Sequence, residues 1–165
     1  MSRLDIKLPA EVLDRYRRAV LPGVLLVRSD SAKAHHNLVE KIAGFFNRET
    51  GWGLLYAASE TYSAFEREAW LFINTDYQPC GACCFRKRTL ESGQQRWHMH
   101  WIWLHPYARD KGLLKEALPG FDARYGDWAI EGPYSRTMRV FIAKNPRYDS
   151  YTPPANDSPL TKPNP

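Results

Sequence analysis

The pattern of apolar positions predicts a chain that alternates between short strands and amphipathic helices. Four apolar runs have strand character: residues 24–27, 69–74, 81–87 and 97–104. The last three are joined by short segments of turn-forming residues, which predicts an antiparallel meander. After the first run, an apolar stripe recurs at helical spacing at Leu38, Ile42, Phe45 and Phe46. The serines within 29–31 are capping candidates for that helix.

The rest of the chain continues this alternation. The spacing predicts a helix from about Gly112 to Leu118, a loop at Pro119-Gly120, a strand over 128–130, and a last helix over 135–144 with Met138, Phe141 and Ile142 buried. A further helix is expected to begin near Pro9, before the first strand. After the last helix, from Asn145 onward, the chain becomes proline-rich and cannot build regular structure. We therefore expect a single domain over residues 1–148 and a Pro-rich tail over 149–165.

Composition narrows the class of protein without naming a function. The chain has 165 residues, 44% of them hydrophobic and 25% charged, which is ordinary for a globular domain. No run is long enough to cross a bilayer and no secretory signal is visible, so we expect no membrane partner. The three cysteines, at 80, 83 and 84, form no disulfide framework, which indicates a cytoplasmic protein with reduced thiols. The net charge of +5 comes from dispersed basic residues, so nucleic acid is possible as a partner but not favoured.

The most informative segment follows the run 97–104. There a buried strand leads into a Pro-containing turn, then into Arg109-x-x-Gly112, and then into a helix. A glycine at a helix entrance allows close approach to the backbone, and the unpaired N–H groups of the first turn attract anions. An arginine adds a planar donor fork for phosphate. This order of elements predicts a pyrophosphate-binding turn.

The segment resembles motif A of the GCN5-related N-acetyltransferases (GNAT), an acyl-CoA-dependent superfamily, and the chain is similar to a divergent member. Leu104, Pro106, Arg109 and Gly112 match the pattern, while Leu114 replaces its last small residue. The resemblance implies an α/β (α+β) domain with a mixed, mainly antiparallel central sheet flanked by helices, and acetyl-CoA as the acyl donor. It also implies two sets of contacts. Trp103, Leu104 and His105 would meet the pantetheine arm, and Arg109, Lys111, Gly112, Leu113 and Leu114 the pyrophosphate.

Acyl transfer to an amine needs a base, and several residues qualify. His98 and His100 lie two apart on one strand, which predicts that they share a face with Ile102 and Leu104. Glu131, just past the fifth strand, is the competing base. The family often places an acidic Tyr on its last helix, where this chain has Ile142; Tyr134 lies nearby but out of register. The final hairpin usual in the family is also replaced by the Pro-rich tail.

Other readings of these residues are structural. Trp97, Met99, Trp101 and Trp103 are expected on the face of the strand opposite the histidines, as core. Cys80-x-x-Cys83 invites a zinc site, with Cys84 roughly opposite His100, but buried structural cysteines are favoured and we expect no metal. The basic run 86–88 is interpreted as a solvated hairpin tip.

The sequence thus favours an N-acetyltransferase that moves an acetyl group directly from acetyl-CoA to an amine. The acceptor amine and the oligomeric state stay open. The alternative is a catalytically silent module with the same fold that binds a protein or nucleic-acid partner. The absent Tyr, Leu114 and the missing hairpin favour that alternative.

Overall fold

The computed structural model describes residues 23–53, 56–58 and 66–150. In chain order the elements are β1 (Gly23–Val27), α1 (Lys33–Thr50), β2 (Arg67–Ile73), β3 (Pro79–Thr89), β4 (Gln95–Leu104), a 3-10 turn (Pro106–Ala108), α2 (Leu113–Tyr125), β5 (Trp128–Ile130), α3 (Arg136–Lys144) and a second 3-10 turn (Pro146–Tyr148). The helix predicted near Pro9 and the tail beyond Ser150 lie outside these residues. Within the described residues, no helix is both long and apolar enough to cross a membrane.

The five strands form one sheet in the order in which they occur in the chain, and this confirms the predicted mixed, mainly antiparallel sheet. The pairs β1–β2, β2–β3 and β3–β4 are antiparallel, and β2, β3 and β4, which are joined by short turns, form the predicted meander. Strand β5 pairs with β4 in parallel because α2 carries the chain back between them.

Each face of the sheet carries its own hydrophobic core. One core lies under α1 and contains the predicted stripe, which is buried along the helix at Leu38, Ile42, Phe45 and Phe46. The other lies under α2 and α3, where Phe121 and Tyr125 pack on Phe85. We call these two sides the α1 face and the α2 face. Both sides of the sheet are thus closed by helices, as the resemblance implied.

Strand β4 contains a β-bulge that the sequence did not reveal. Cys84 of β3 pairs with Trp101 and Phe85 pairs with Met99, so His100 is an extra residue between them. Trp101 and Trp103 therefore pack on the α1 face, while Met99 packs on the α2 face. The prediction of one aromatic face was wrong.

The bulge also separates the residues grouped with the histidines. Ile102 and Leu104 pack on the α2 face. His98 alternates with Met99 along a regular stretch of strand and so points to the α1 face. The predicted shared face of His98 with Ile102 and Leu104 was wrong, because one added residue inverts the side of everything beyond it.

Two helix boundaries also differ from prediction. Helix α2 does not stop at Pro119 but includes it and continues to Tyr125. Pro119 removes one backbone donor, and the burial of Ala117, Phe121 and Tyr125 on one face offsets that loss. The serine cap predicted for α1 is also wrong, since the N-cap is Ala32 without a side-chain bond. Of the three residues expected to be buried in α3, Ile142 is buried and Met138 and Phe141 are partly buried.

The chain after α3 returns to the edge of the sheet at β5. Tyr148 is buried against the ring of Trp128, with centroids 4.4 Å apart, and Asp149 forms a parallel bridge with Ile130. The Tyr134 hydroxyl accepts the Ser150 amide at 3.0 Å. Residues up to Ser150 therefore contact the folded domain, and the predicted boundary after residue 148 stays a prediction for the chain beyond.

Candidate active site

Strands β4 and β5 separate after a short paired stretch. Pairing ends at Met99 and Ile130, and the Glu131 amide still donates to the Met99 carbonyl at 2.9 Å. Strand β4 then continues to Leu104 while β5 stops. A cavity of about 290 Å³ opens at this point. The separation leaves an edge of β4 that β5 does not cover.

Side chains from both faces of the sheet line this cavity. Its α1-face wall consists of Phe46, Thr50, Trp52 and Trp101. Its α2-face wall consists of Met99, Ile102, Ile130 and Met138. The polar groups His100, Glu131 and Tyr134 lie among these mostly apolar walls. An apolar cavity with a few polar groups is the usual form of a small-molecule site.

The bulge directs His100 toward a carboxylate. The His100 Nδ1 atom lies 3.0 Å from Oε2 of Glu131, at the end of β5. Two arginines of β3 reach the same carboxylate: Arg86 donates from Nε at 2.9 Å, and Arg88 donates to Oε1. Glu131 is therefore held by three side chains from two neighbouring strands.

These contacts fix the protonation of Glu131. Burial would raise the pKa of its carboxyl, but the hydrogen bonds of His100 and Arg86 and the Arg86 charge outweigh burial and lower the pKa to about 2. A carboxylate with this pKa accepts hydrogen bonds only and is poorly suited to take a proton from an amine at neutral pH. In neutral imidazole the proton then belongs on Nδ1 of His100, which leaves Nε2 as the acceptor.

His98 has a different environment. Its side chain is buried, with a residue exposure of 4%, and its Nδ1 atom lies 3.2 Å from the Arg96 carbonyl. Burial lowers the pKa of His98, and the residue does not line the cavity. Of the two histidines predicted on β4, the structure brings only His100 to the cavity.

The Tyr134 side chain borders the cavity, but its hydroxyl is already engaged. The hydroxyl lies 3.0 Å from the Ile130 carbonyl and 2.7 Å from Oδ1 of Asp149. Burial raises the pKa of Tyr134. Ile142, where the family often has its Tyr, is buried at 7% exposure. Tyr134 thus ties the chain after α3 to β5, and its role as an acid stays a prediction.

The turn after β4 is fixed by an arginine and a glutamate. Arg109 donates from Nε to the Leu104 carbonyl at 2.9 Å and from Nη2 to Oε2 of Glu49 at 2.6 Å. The same Glu49 oxygen accepts the Trp103 indole N–H at 2.7 Å. The hydrogen bond of Arg109 lowers the pKa of Glu49. Arg109 therefore connects the turn to the end of α1, and the phosphate contact predicted for it stays a prediction.

The entrance of α2 has the geometry expected of an anion site. Gly112 is the N-cap residue, with a φ of +79° that side-chain-bearing residues rarely adopt. The first amides of α2, including those of Leu113 and Leu114, have no partner within the helix. Lys111, whose Nζ lies 6.0 Å from the centre of the exposed Tyr107 ring, adds a positive charge. The arrangement fits a phosphate group, and the contacts themselves stay predictions.

The three residues predicted at the pantetheine arm lie at the end of β4. The Trp103 ring packs on Phe45 under α1, with centroids 5.3 Å apart, so only its backbone lies along the strand edge. Leu104 is half-buried on the α2 face. The His105 amide continues the pairing with β3 by donating to the Cys80 carbonyl at 2.7 Å. The contacts with pantetheine stay predictions.

Sequence reasoning missed the role of the basic run at 86–88. Arg86 and Arg88 lie on the α1 face and hold Glu131, so the interpretation as a solvated tip was wrong for the half-buried Arg86, while Arg88 is exposed and also bonds Glu131. Only Lys87 points the other way, where its Nζ binds the exposed Glu66 at 2.8 Å. Alternation along a strand is the signal that would have separated the two arginines from the lysine.

The cysteines do not converge. Cys80 and Cys83 belong to the core of the α2 face and Cys84 to that of the α1 face, and all three are buried free thiols. Cys84 pairs with Trp101, next to the extra residue His100, so it lies roughly opposite His100 as predicted. Among the residues that the structure describes, no group of three or more His, Cys, Asp or Glu side chains is placed to hold a metal. The cysteines are therefore core residues.

Comparison with known proteins shows the fold. The xEco2 acetyltransferase domain bound to a K105-CoA conjugate superposes with a TM-score of 0.57 at 12% identity, covering 73% of this chain and 84% of that one. A ribosomal-protein-alanine N-acetyltransferase from Brucella melitensis biovar Abortus 2308 gives 0.52 at 16% identity, covering 74% and 89%. A possible acetyltransferase from Clostridium difficile 630 gives 0.53 at 6% identity, covering 84% and 99%.

No protein-family model and no curated protein matches the sequence. The chain nevertheless has the fold of the GNAT acetyltransferases, as its Arg109-x-x-Gly112 segment predicted. This is the acyltransferase type of α/β fold, and at these identities the likeness extends to the fold alone.

Proposed function

We propose that this protein transfers an acetyl group from acetyl-CoA to an amine in the cavity between β4 and β5. The observation that carries the proposal is the combination of three features in β4 and the segment that follows it. These are the gap between the parallel strands, the glycine-led entrance of α2, and a histidine aimed into the gap by a bulge.

The donor would lie along the uncovered edge of β4. The pantetheine arm would lie beside Trp103, Leu104 and His105, as an added strand does, and would use backbone groups other than the His105 amide and the Leu104 carbonyl, which are already bonded to Cys80 and Arg109. The amides that follow Gly112 and the charge of Lys111 would hold the pyrophosphate. Both regions consist of residues whose positions the fold fixes.

His100 would act as the base. Its Nε2 atom would take a proton from the ammonium or from the amine as the new C–N bond forms, and Glu131 would stabilise the imidazolium through Nδ1. The thioester C–S bond then breaks and releases the thiolate. Tyr134 would serve as the acid only if its hydroxyl left its present contacts, so we expect the thiolate to depart without a proton from tyrosine.

Calorimetry and turnover together test this proposal. Titration with acetyl-CoA and with CoA measures binding, and detection of free thiol measures turnover on a panel of amines. We expect binding of both and thiol release that depends on an amine. Replacement of His100 by Gln should lower turnover about a hundredfold with binding retained.

The same experiment decides against the alternatives. His98→Gln tests the second histidine of β4, and we expect this variant to keep most of the turnover because His98 is buried and does not line the cavity. Tight CoA binding with no turnover on any amine would favour the silent module. If neither acetyl-CoA nor CoA binds, both the proposed transfer and the silent module that binds CoA are contradicted.

A further inference from the structure

The cavity has a continuous aromatic wall on its α1 face. Phe46 contacts Trp101 with ring centroids 5.9 Å apart, and it meets Trp52 edge-to-face at 5.7 Å. Trp101 is buried and Trp52 is 38% exposed, so the wall extends from the interior to the surface. Such a wall offers ring faces and edges to a flat, apolar molecule.

The wall also contains a buried hydrogen-bond donor. The indole N–H of Trp101 is buried and has no partner among the described residues. A buried donor without a partner is costly to the folded chain, and a molecule with a polar substituent can relieve that cost when it binds. By contrast, the Thr50 hydroxyl on the same wall is occupied, since it donates to the Phe46 carbonyl at 2.8 Å.

The charges of the cavity disfavour a molecule with several positive charges. Glu131 is the only carboxylate among the described residues that line it, and it already accepts hydrogen bonds from three side chains. Two of these donors, Arg86 and Arg88, are cations. A second ammonium group on the acceptor would meet positive charge and no carboxylate able to pair with it.

On the basis of the proposed function, we infer that the acceptor is a primary amine joined to an aromatic ring by a short alkyl chain and carrying no second cation, with its ring against Phe46, Trp52 and Trp101. The amino group of the acceptor would then point across the cavity to His100. This arrangement assigns Trp52 as a specificity residue, since it forms the exposed end of the wall. Polyamines and lysine-rich peptides are the acceptors that the site disfavours.

The test compares 2-phenylethylamine, n-butylamine and spermidine in two assays. Thiol release gives kcat/KM for each amine, and titration of each amine into the protein saturated with CoA measures binding without chemistry. We expect 2-phenylethylamine to bind best and to have the highest kcat/KM. Trp52→Ala should lower both for this amine about tenfold and leave n-butylamine unchanged, because only the ring loses a contact.

Two further variants separate recognition from stability. Trp52→Phe keeps a ring and should restore most of the preference, while Val140→Ala, at an exposed apolar position of α3 (53% exposed), should change neither assay. Stronger binding of spermidine than of 2-phenylethylamine, or an equal loss for all amines in Trp52→Ala, would overturn the inference. Ring-dependent binding without turnover would uphold the aromatic preference of the cavity and reject the proposed function. Turnover of n-butylamine without a ring preference would uphold the proposed function and reject the aromatic preference.

Discussion

Replacement of Glu131 by Gln is the most direct test of the site, because it removes a charge and leaves size unchanged. In the native site the carboxylate accepts from His100 at 3.0 Å and from Arg86 at 2.9 Å. A charge-assisted hydrogen bond of this kind contributes about 1.5 to 3 kcal/mol. If that stabilisation supports the imidazolium in the transition state, kcat should fall about ten- to a hundredfold.

The pH dependence of kcat distinguishes a positioning role from a merely structural one. Glu131→Gln removes the charged partner of the proposed base, so the pH curve of kcat should differ from that of the unmodified protein, while CoA affinity stays unchanged.

Glu66→Gln is the matched control, since it makes the same substitution in an exposed ion pair with Lys87, between the two arginines. We expect its kcat and pH curve to match those of the unmodified protein, because exposed pairs contribute little. Circular dichroism melting at neutral pH checks that both variants fold. A Glu131→Gln protein with unchanged kcat and an unchanged pH curve would refute the role given to Glu131.

Three further predictions follow from the structure. Arg109→Ala should lower CoA affinity about tenfold or more. Glu49→Gln should leave CoA affinity near normal if Arg109 binds phosphate directly. It should lower CoA affinity as much as Arg109→Ala does if the arginine only fixes the turn. Because folding lowers the pKa of Glu131 from 4.5 to about 2, the stability that this carboxylate contributes is complete above pH 4.5 and is lost as pH falls toward 2. At about 1.4 kcal/mol per pH unit, the contribution to the free energy of unfolding is roughly 3 kcal/mol. Urea unfolding of Glu131→Gln and of the unmodified protein across that pH range measures it. A chain ending at Ser150 should melt within about two degrees of the full chain, whereas one ending at Arg147 should melt several degrees lower, because it loses the buried Tyr148.

The strands and helices were predictable because their apolar patterns are strong. The meander over β2, β3 and β4 follows from apolar runs of strand length joined by turn-forming residues, and the stripe of α1 follows from a period of about 3.6 residues. The extent of α2 was not, because Pro119 is a local stop signal that the burial of Phe121 and Tyr125 overrides. Local rules failed where tertiary packing supplied the stability.

The site was predictable only in part. His100 and Glu131 were both candidates, but their contact joins residues 31 positions apart, and Arg86 lies 45 positions from Glu131. No local pattern reports such distances. The bulge escaped detection because residues 101–104 are all apolar, so their alternation carries no sign of which face each side chain takes.

The extra residue in β4 has a consequence for how this protein can change. If His100 were deleted, the flanking residues would alternate regularly, and Met99, Trp101 and Ile102 would keep the faces they now occupy. The fold would lose an irregularity and keep its core, while the site would lose its imidazole. Under the proposed function, a single codon therefore separates the catalytic base from the architecture, so a lineage could lose or regain that base without rebuilding the domain.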